Sequence, residues 1–256
     1  MISKNRIRQI AALQKKKERD ESRIYVVEGD KIVKECLRAG VRLKLLAAKP
    51  EFISSLKPFE RDLIGEIETC NYDDLKKIST LTAPHNALAL VPYPDKQPDR
   101  GKIFGGLSVA LDFIQDPGNL GTIIRSAAWF GIKNIVCSPN CVDLYNPKVI
   151  QATMGAFLNV EVLYTDLKDY LKEAIDSDAP VFGAVLEGNP VYDESLEKRG
   201  VIVLGNESKG ISDELTPFFT KKIYIPKFTS ASYGIESLNV SMAAAVIFSE
   251  FARRKG

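Results

Sequence analysis

Three short segments from residue 112 onward hold the polar side chains best placed to do chemistry. The first is Asp112-Phe-Ile-Gln-Asp-Pro-Gly-Asn-Leu-Gly-Thr-Ile-Ile-Arg125, which sets Asn119 and Arg125 six residues apart. A guanidinium can hold a phosphate through two hydrogen bonds and can stabilise negative charge growing on an oxygen. Taken alone, that spacing reads as an N-cap asparagine and a solvated arginine. The second is Val201-Ile-Val-Leu-Gly-Asn-Glu-Ser-Lys-Gly210, a fully apolar strand that runs into Gly205-Asn206-Glu207. Glycine there lets a ligand approach the backbone closely, and Glu207 lies just past the strand's carboxyl end. The third is Ile223-Tyr-Ile-Pro226, followed by Glu236-Ser-Leu-Asn-Val-Ser241 and an alanine-rich stretch. Ser237 reads as the N-cap of a last helix. Asn239 then falls in the first turn, where its propensity is poor, and so invites a functional role.

These segments need a frame. After residue 106 apolar strands alternate with helical patterns. The strands are 107–113, 134–137, 159–162, 181–185, 201–204 and 223–225. The helices are 119–130, 148–155, 166–175 and 237–254. Such alternation predicts an α/β fold, a parallel sheet with helices on both faces. Ligands in such sheets bind beyond the carboxyl ends of the strands, where all three segments fall. Before it, a helix over 1–20, strands at 24–27, 43–48 and 87–91, and helices at 30–39 and 73–78 predict a small α/β unit. Pro92-Tyr-Pro94-Asp-Lys-Gln-Pro98-Asp-Arg-Gly101 is a proline-rich connection. The expected organisation is therefore a unit over 1–98, a linker over 99–106 and a second domain over 107–256.

Of the 256 residues, 45% are hydrophobic and 27% charged, the make-up of a globular protein. No apolar run approaches the roughly 18–20 residues that span a bilayer, and the basic start lacks a signal-peptide core. A cytoplasmic location without membrane contact is expected. Net charge is only +2, yet residues 1–44 hold thirteen Lys and Arg against six Asp and Glu. Lys4, Arg6, Arg8, Lys15, Lys16, Lys17, Arg19 and Arg23 concentrate that excess, an electrostatic footprint for RNA phosphates; the simpler alternative is a solvated helix face. Cys137 and Cys141 are closely spaced, but a closed zinc site needs four ligands, and His85 is the chain's single histidine. No metal is expected. No glycine-rich dinucleotide fingerprint, phosphate-binding P-loop or G-x-S-x-G elbow occurs.

Taken together and in order, the segments resemble the SpoU (TrmH) family of RNA 2′-O-methyltransferases. The matching pieces are N-x-G-x3-R in Asn119–Arg125, L-G-N-E in Leu204–Glu207 with Gly210, and I-P followed by S-L-N-V-S in Ile225–Pro226 and Ser237–Ser241. The resemblance covers about 107–253. Val26–Gly29 and Ala83–Val91 resemble, less specifically, the substrate-binding domain that precedes many such enzymes. The resemblance implies a C-terminal trefoil knot, a homodimer, and S-adenosyl-L-methionine held mainly by backbone at Leu204, Gly205, Ile225, Leu238 and Asn239. It implies a site of Arg125 with Asn119, Glu207, Ser237 and Asn239, acting on RNA, ribosomal RNA by preference and transfer RNA as the alternative. One departure is Lys227–Ile235, nine residues long and longer than the family loop.

For that chemistry the 2′-OH is the difficulty, being a poor nucleophile until its proton is leaving. Arg125 is the first candidate to favour charge on that oxygen. A guanidinium is a poor literal base, so the proton acceptor stays open. Rival readings are a non-catalytic RNA-binding protein on the same fold, a methyltransferase acting on a base, and an unrelated α/β nucleotide-binding enzyme.

Overall fold

A computed structural model describes residues 2–95, 104–229, 234 and 237–254. In chain order its helices and strands are α1 (Lys4–Ala12), α2 (Lys16–Ser22), β1 (Ile24–Glu28), α3 (Asp30–Arg38), β2 (Leu45–Ala48), α4 (Pro50–Ser54), α5 (Pro58–Arg61), β3 (Ile67–Thr69), α6 (Tyr72–Ile78) and β4 (Ala87–Pro92). There follow β5 (Leu107–Leu111), α7 (Pro117–Trp129), β6 (Asn134–Cys137), α8 (Pro147–Thr153), β7 (Glu161–Tyr164), α9 (Leu167–Asp176), β8 (Val181–Pro190), β9 (Gly200–Leu204), β10 (Lys221–Tyr224) and α10 (Val240–Arg253). The chain divides into two compact units. One holds Met1–Lys96 with Asp143–Leu158, the other Gln97–Val142 with Asn159–Gly256. The expected uninterrupted domain over 107–256 is thus broken, because 143–158 packs with the first unit. Most of the expected 99–106 linker lies outside the described residues.

In the first unit the sheet order is β1-β4-β2-β3, with β1 and β2 antiparallel to β4 and β3 parallel to β2. Ile10 and Leu13 press one face of it together with Leu75 and Ile78 of α6, over Val26, Leu45, Leu88 and Leu90. The expected single helix over 1–20 is two. It breaks after Leu13, and the Arg19 side chain explains how the break is tolerated: its Nη1 donates to the Leu13 and Gln14 carbonyls at 2.8 and 2.9 Å. Nη2 of the same guanidinium meets Asp143 Oδ2 at 2.5 Å. Arg19 is 1% exposed. Segment 143–158 also brings Tyr145 against the rings of Tyr25 and Tyr93, at 4.5 and 4.2 Å between centroids.

The second unit is a six-stranded sheet, wholly parallel, in the order β10-β8-β9-β5-β6-β7. Every residue of β5 and β9 is buried, as befits central strands covered on both faces. On one face Ala110, Val136, Val201 and Val203 meet Leu167, Leu171 and Ala174 of α9. On the other Phe182 reaches Phe251 of α10, ring to ring at 5.0 Å, and α10 packs along α7. From β5 the chain steps outward through β6 to β7, then returns to lay β9 on β5's other side. The strand order therefore reverses at β5 and β9, and in open α/β sheets ligands bind beyond the carboxyl ends at such a point.

Candidate active site

The carboxyl ends of β5 and β9 lie in register, Leu111 opposite Leu204, and their pairing runs one step further through the Asp112 N–H to the Leu204 carbonyl, 2.8 Å. After β5 the chain turns sharply. Phe113 sits at φ +61°, a conformation that costs a non-glycine residue energy and needs support from around it. That support is visible: its N–H donates to Ser138 Oγ at 2.9 Å, and its carbonyl accepts from Asn206 Nδ2 at 3.1 Å. The helix that follows starts earlier than expected. Asp116 is the N-cap, accepting from the Asn119 N–H, and Pro117 and Gly118 form the first helical positions rather than a preceding turn. Asn119 is therefore not a cap, and its side chain is free for other contacts.

After β9, Gly205 opens a tight loop closed by paired backbone hydrogen bonds between Asn206 and Gly210, 2.9 and 2.8 Å. A Cβ at Gly205 would lie 2.3 Å from the Gly210 carbonyl, so glycine is required by close approach. Asn206 ties this loop together, its Oδ1 accepting from the N–H groups of Ser208 and Lys209 while Nδ2 reaches across to Phe113. Asp112 is 5% exposed and accepts from both the N–H and the hydroxyl of Ser212 at 2.8 and 2.7 Å. Lys209 Nζ stands 5.0 Å from the Phe113 ring centre.

The third segment also departs from expectation. The last helix begins at Val240, and its N-cap is Asn239, not Ser237; Asn239 Oδ1 accepts from the Ser241 N–H and hydroxyl at 3.0 and 2.7 Å. Capping thus explains the asparagine that looked misplaced inside a turn. Its amide has a second use, because Nδ2 donates to Asn119 Oδ1 at 3.0 Å. Asn119 Nδ2 in turn donates to Glu207 Oε1. Three of the expected residues, Glu207, Asn119 and Asn239, form one chain of hydrogen bonds that links all three segments.

The others are placed more loosely. Arg125 is exposed on α7 and has no hydrogen bond or ion pair among the described residues. Ser237 is exposed and likewise makes no hydrogen bond among them. Leu204 ends β9 buried, Ile225 is half-buried after β10, and Leu238 is 49% exposed beside the N-cap. Part of the long 227–235 loop lies outside the described residues. Sequence reasoning missed Asp112, Phe113 and Asn206 as supports. A carboxylate closing an apolar strand was a usable signal for Asp112; nothing in the sequence announces the torsion of Phe113.

Behind the first turn sit Cys137 and Cys141. All four cysteines are buried free thiols. Cys141 Sγ accepts from the Ile114 N–H at 3.2 Å. Its thiol is drawn down to about 7 by a hydrogen bond shared with Cys137, which outweighs the opposing effect of burial; Ser138 and the Ile114 N–H add to it. The same pairing pushes Cys137 well up. Among the described residues no three His, Cys, Asp or Glu side chains group as a metal site.

Of the basic residues expected to meet RNA, several are engaged within the first unit. Arg19 is buried against Asp143, which removes it as a phosphate contact. Arg6 pairs with Glu66 at 2.6 Å and lies near Glu68. Arg23 lies over Tyr93, 4.9 Å from the ring centre. Lys4, Arg8, Lys15, Lys16 and Lys17 are exposed, with Lys17 facing Glu21.

The second unit is a parallel sheet with a polar network at its reversal point, the place where such sheets bind ligands, and the first is a small mixed α/β unit. Residues 106–249 match the SpoU rRNA methylase family and residues 4–89 the MRM3-like substrate binding domain. The chain belongs to the SpoU rRNA methylase family and is an RNA methyltransferase. It is 27% identical over 237 residues, 92% of this chain and 91% of the relative, to the Bacillus subtilis 23S rRNA (guanosine(2553)-2′-O)-methyltransferase RlmP. In structure it is similar over its whole length to a TrmH-family protein from Porphyromonas gingivalis, also covered completely (TM-score 0.88, 34% identity). It also resembles the AdoMet-bound rRNA methyltransferase from Sinorhizobium meliloti, at TM-score 0.85 and 25% identity over 100% of this chain and 98% of the other.

Proposed function

We propose that this chain transfers a methyl group from S-adenosyl-L-methionine to a ribose 2′-OH of ribosomal RNA. The observation that carries the reading is the hydrogen-bonded series Glu207–Asn119–Asn239, which joins the three family segments at the carboxyl ends of β5 and β9. The tight Gly205–Gly210 loop and the half-exposed Leu238 suit a cofactor held by backbone and apolar contact, with Leu204, Gly205, Ile225, Leu238 and Asn239 as its holders. When bound, the cofactor supplies a methyl group already electrophilic on its sulfonium.

The protein's share is placement and charge. Arg125, without a partner among the described residues, is available to grip an RNA phosphate and to favour negative charge on the 2′-oxygen. Asn119, locked between Glu207 and Asn239, fixes the start of α7 and so the helix that carries Arg125. Ser237, exposed two residues before Asn239, is assigned to the substrate. Ribosomal RNA is preferred over transfer RNA because the RlmP relative, whose name specifies 23S rRNA, aligns along nearly the whole chain. Exposed Lys4, Arg8 and Lys15–Lys17 are assigned to the RNA backbone.

The active form is a homodimer. Trp129 at the end of α7 is 84% exposed and Met242 in the first turn of α10 is 60% exposed, two large apolar side chains on packed helices that a second copy would cover. Arg125 lies one helical turn from Trp129, which puts it on the same face of α7 as that exposed ring. The trefoil knot and the cytoplasmic location belong to the same reading; among the described residues no helix is long and apolar enough to cross a membrane. The decisive experiment combines titration with S-adenosyl-L-methionine and mapping of 2′-O-methyl sites in RNA from cells with and without the gene. No cofactor binding, or an unchanged methylation map, would refute it.

A further inference from the structure

The first unit carries a pocket of about 420 Å³ outside the catalytic region, between the start of α3, the start of α4 and the residue leading into β4. That size lies within the usual range of ligand sites. Lys31, Lys34 and Lys49 line it, and none has an ion pair among the described residues. Two of them instead lie beside aromatic rings. Lys34 Nζ is 5.6 Å from the ring centre of Phe52, which also lines the pocket, and Lys49 Nζ is 5.7 Å from that of Tyr72. Tyr72 is 46% exposed. Of the two lining carboxylates, Asp30 is occupied: its oxygens accept from the Asn86 N–H and side-chain amide at 2.9 and 2.7 Å. Glu51 is the other, at the exposed edge.

The contrast with the N-terminal cluster is informative. There Arg6, Arg19 and Lys17 already face carboxylates. Here three cations stand without an ion pair among the described residues, around a concavity with an exposed ring close to Lys49. Surface lysines held apart from carboxylates are poised for an external anion, and an accessible tyrosine offers a face for an unpaired base.

We infer that this pocket grips the backbone of the RNA substrate, with Lys31, Lys34 and Lys49 on successive phosphates and Tyr72 stacking on an unpaired base. The inference rests on the proposed RNA reading and assigns the place in the first unit where that RNA is held.

The test compares wild type with a Lys31→Gln/Lys34→Gln/Lys49→Gln variant, which keeps most of each side-chain stem. Binding to in-vitro-transcribed 23S ribosomal RNA is followed across a salt series. Each lost phosphate contact removes roughly 0.7 from the slope of log affinity against log salt on single strands, so the slope should flatten by about 2. Affinity at low salt should fall by about tenfold or more. S-adenosyl-L-methionine affinity and circular dichroism should match wild type, and Tyr72→Ala alone should weaken binding without changing the slope. A wild-type slope in the triple variant overturns the pocket assignment and leaves the methyltransferase reading standing. Wild-type protein that binds no RNA overturns both.

Discussion

Gly205→Ala is the sharpest probe of the site, because its effect follows from distances alone. An added Cβ would lie 2.3 Å from the Gly210 carbonyl carbon and oxygen and 2.4 Å from the Ile211 nitrogen. Unstrained contacts of this kind sit near 3.5 Å, so the 205–210 loop must open by about 1.2 Å. Opening separates the two backbone hydrogen bonds that close it, a loss of roughly 1–3 kcal/mol in all. It also shifts Asn206, whose amide holds the strained Phe113 turn, and Glu207, which anchors Asn119. A displacement of about 1 Å in groups that place a reaction commonly costs around 100-fold. Cofactor titration and tritium transfer from labelled S-adenosyl-L-methionine should therefore both fall sharply. The matched control is Gly210→Asn. Gly210 sits at φ +70° with open space where a Cβ would go, and asparagine accepts that torsion, so this variant should keep most of its activity. Full cofactor affinity and turnover in Gly205→Ala would refute the close-packed loop.

Arg125→Ala should lower kcat by about 100- to 1,000-fold with cofactor affinity unchanged by titration; full activity on a verified RNA would remove Arg125 from the mechanism. Arg19→Met should destabilise the first unit by about 3–5 kcal/mol, since it leaves Asp143 half-buried and unpaired, measured by denaturant unfolding. Lys15→Gln/Lys16→Gln/Lys17→Gln should flatten the salt dependence of RNA binding; deleting 1–19 instead would strip Ile10, Leu13 and Arg19 from the fold and confuse binding with unfolding. Trp129→Glu should shift the protein from dimer to monomer in light scattering after gel filtration, and an unchanged mass would place the dimer contact elsewhere.

What the sequence made legible follows from the range of the interactions involved. The apolar runs of β5 and β9 and the helical spacing of α9 are local patterns, and each became the element expected. α4 and α5 are short, start at Pro50 and Pro58, and have too few residues to show a period; they went unread, as did the three-residue β3. At the site, the residue types were readable but their partners were not. Asn119 looked like a cap and Asn239 like an interior residue, and the structure gives Asn239 the cap and Asn119 the cross-link. Deciding between them needs the Asp116 cap one turn away and a partner 120 residues along the chain. Charge misled for the same reason. Arg19 counted with its basic neighbours, yet its partner Asp143 lies 124 residues later.

That last pairing bears on how the protein is made. The first unit is finished only when Asp143–Leu158 arrives, well after the last strand of its own sheet has left the ribosome. At typical synthesis rates of roughly 5–20 residues per second, the delay is several seconds. During that interval the Arg19 guanidinium has no counter-charge, and the rings of Tyr25 and Tyr93 lack Tyr145 to stack on. The two units are consequently tied in synthesis. A gene cut at the proline-rich connection would yield a first half that permanently lacks Asp143 and Tyr145.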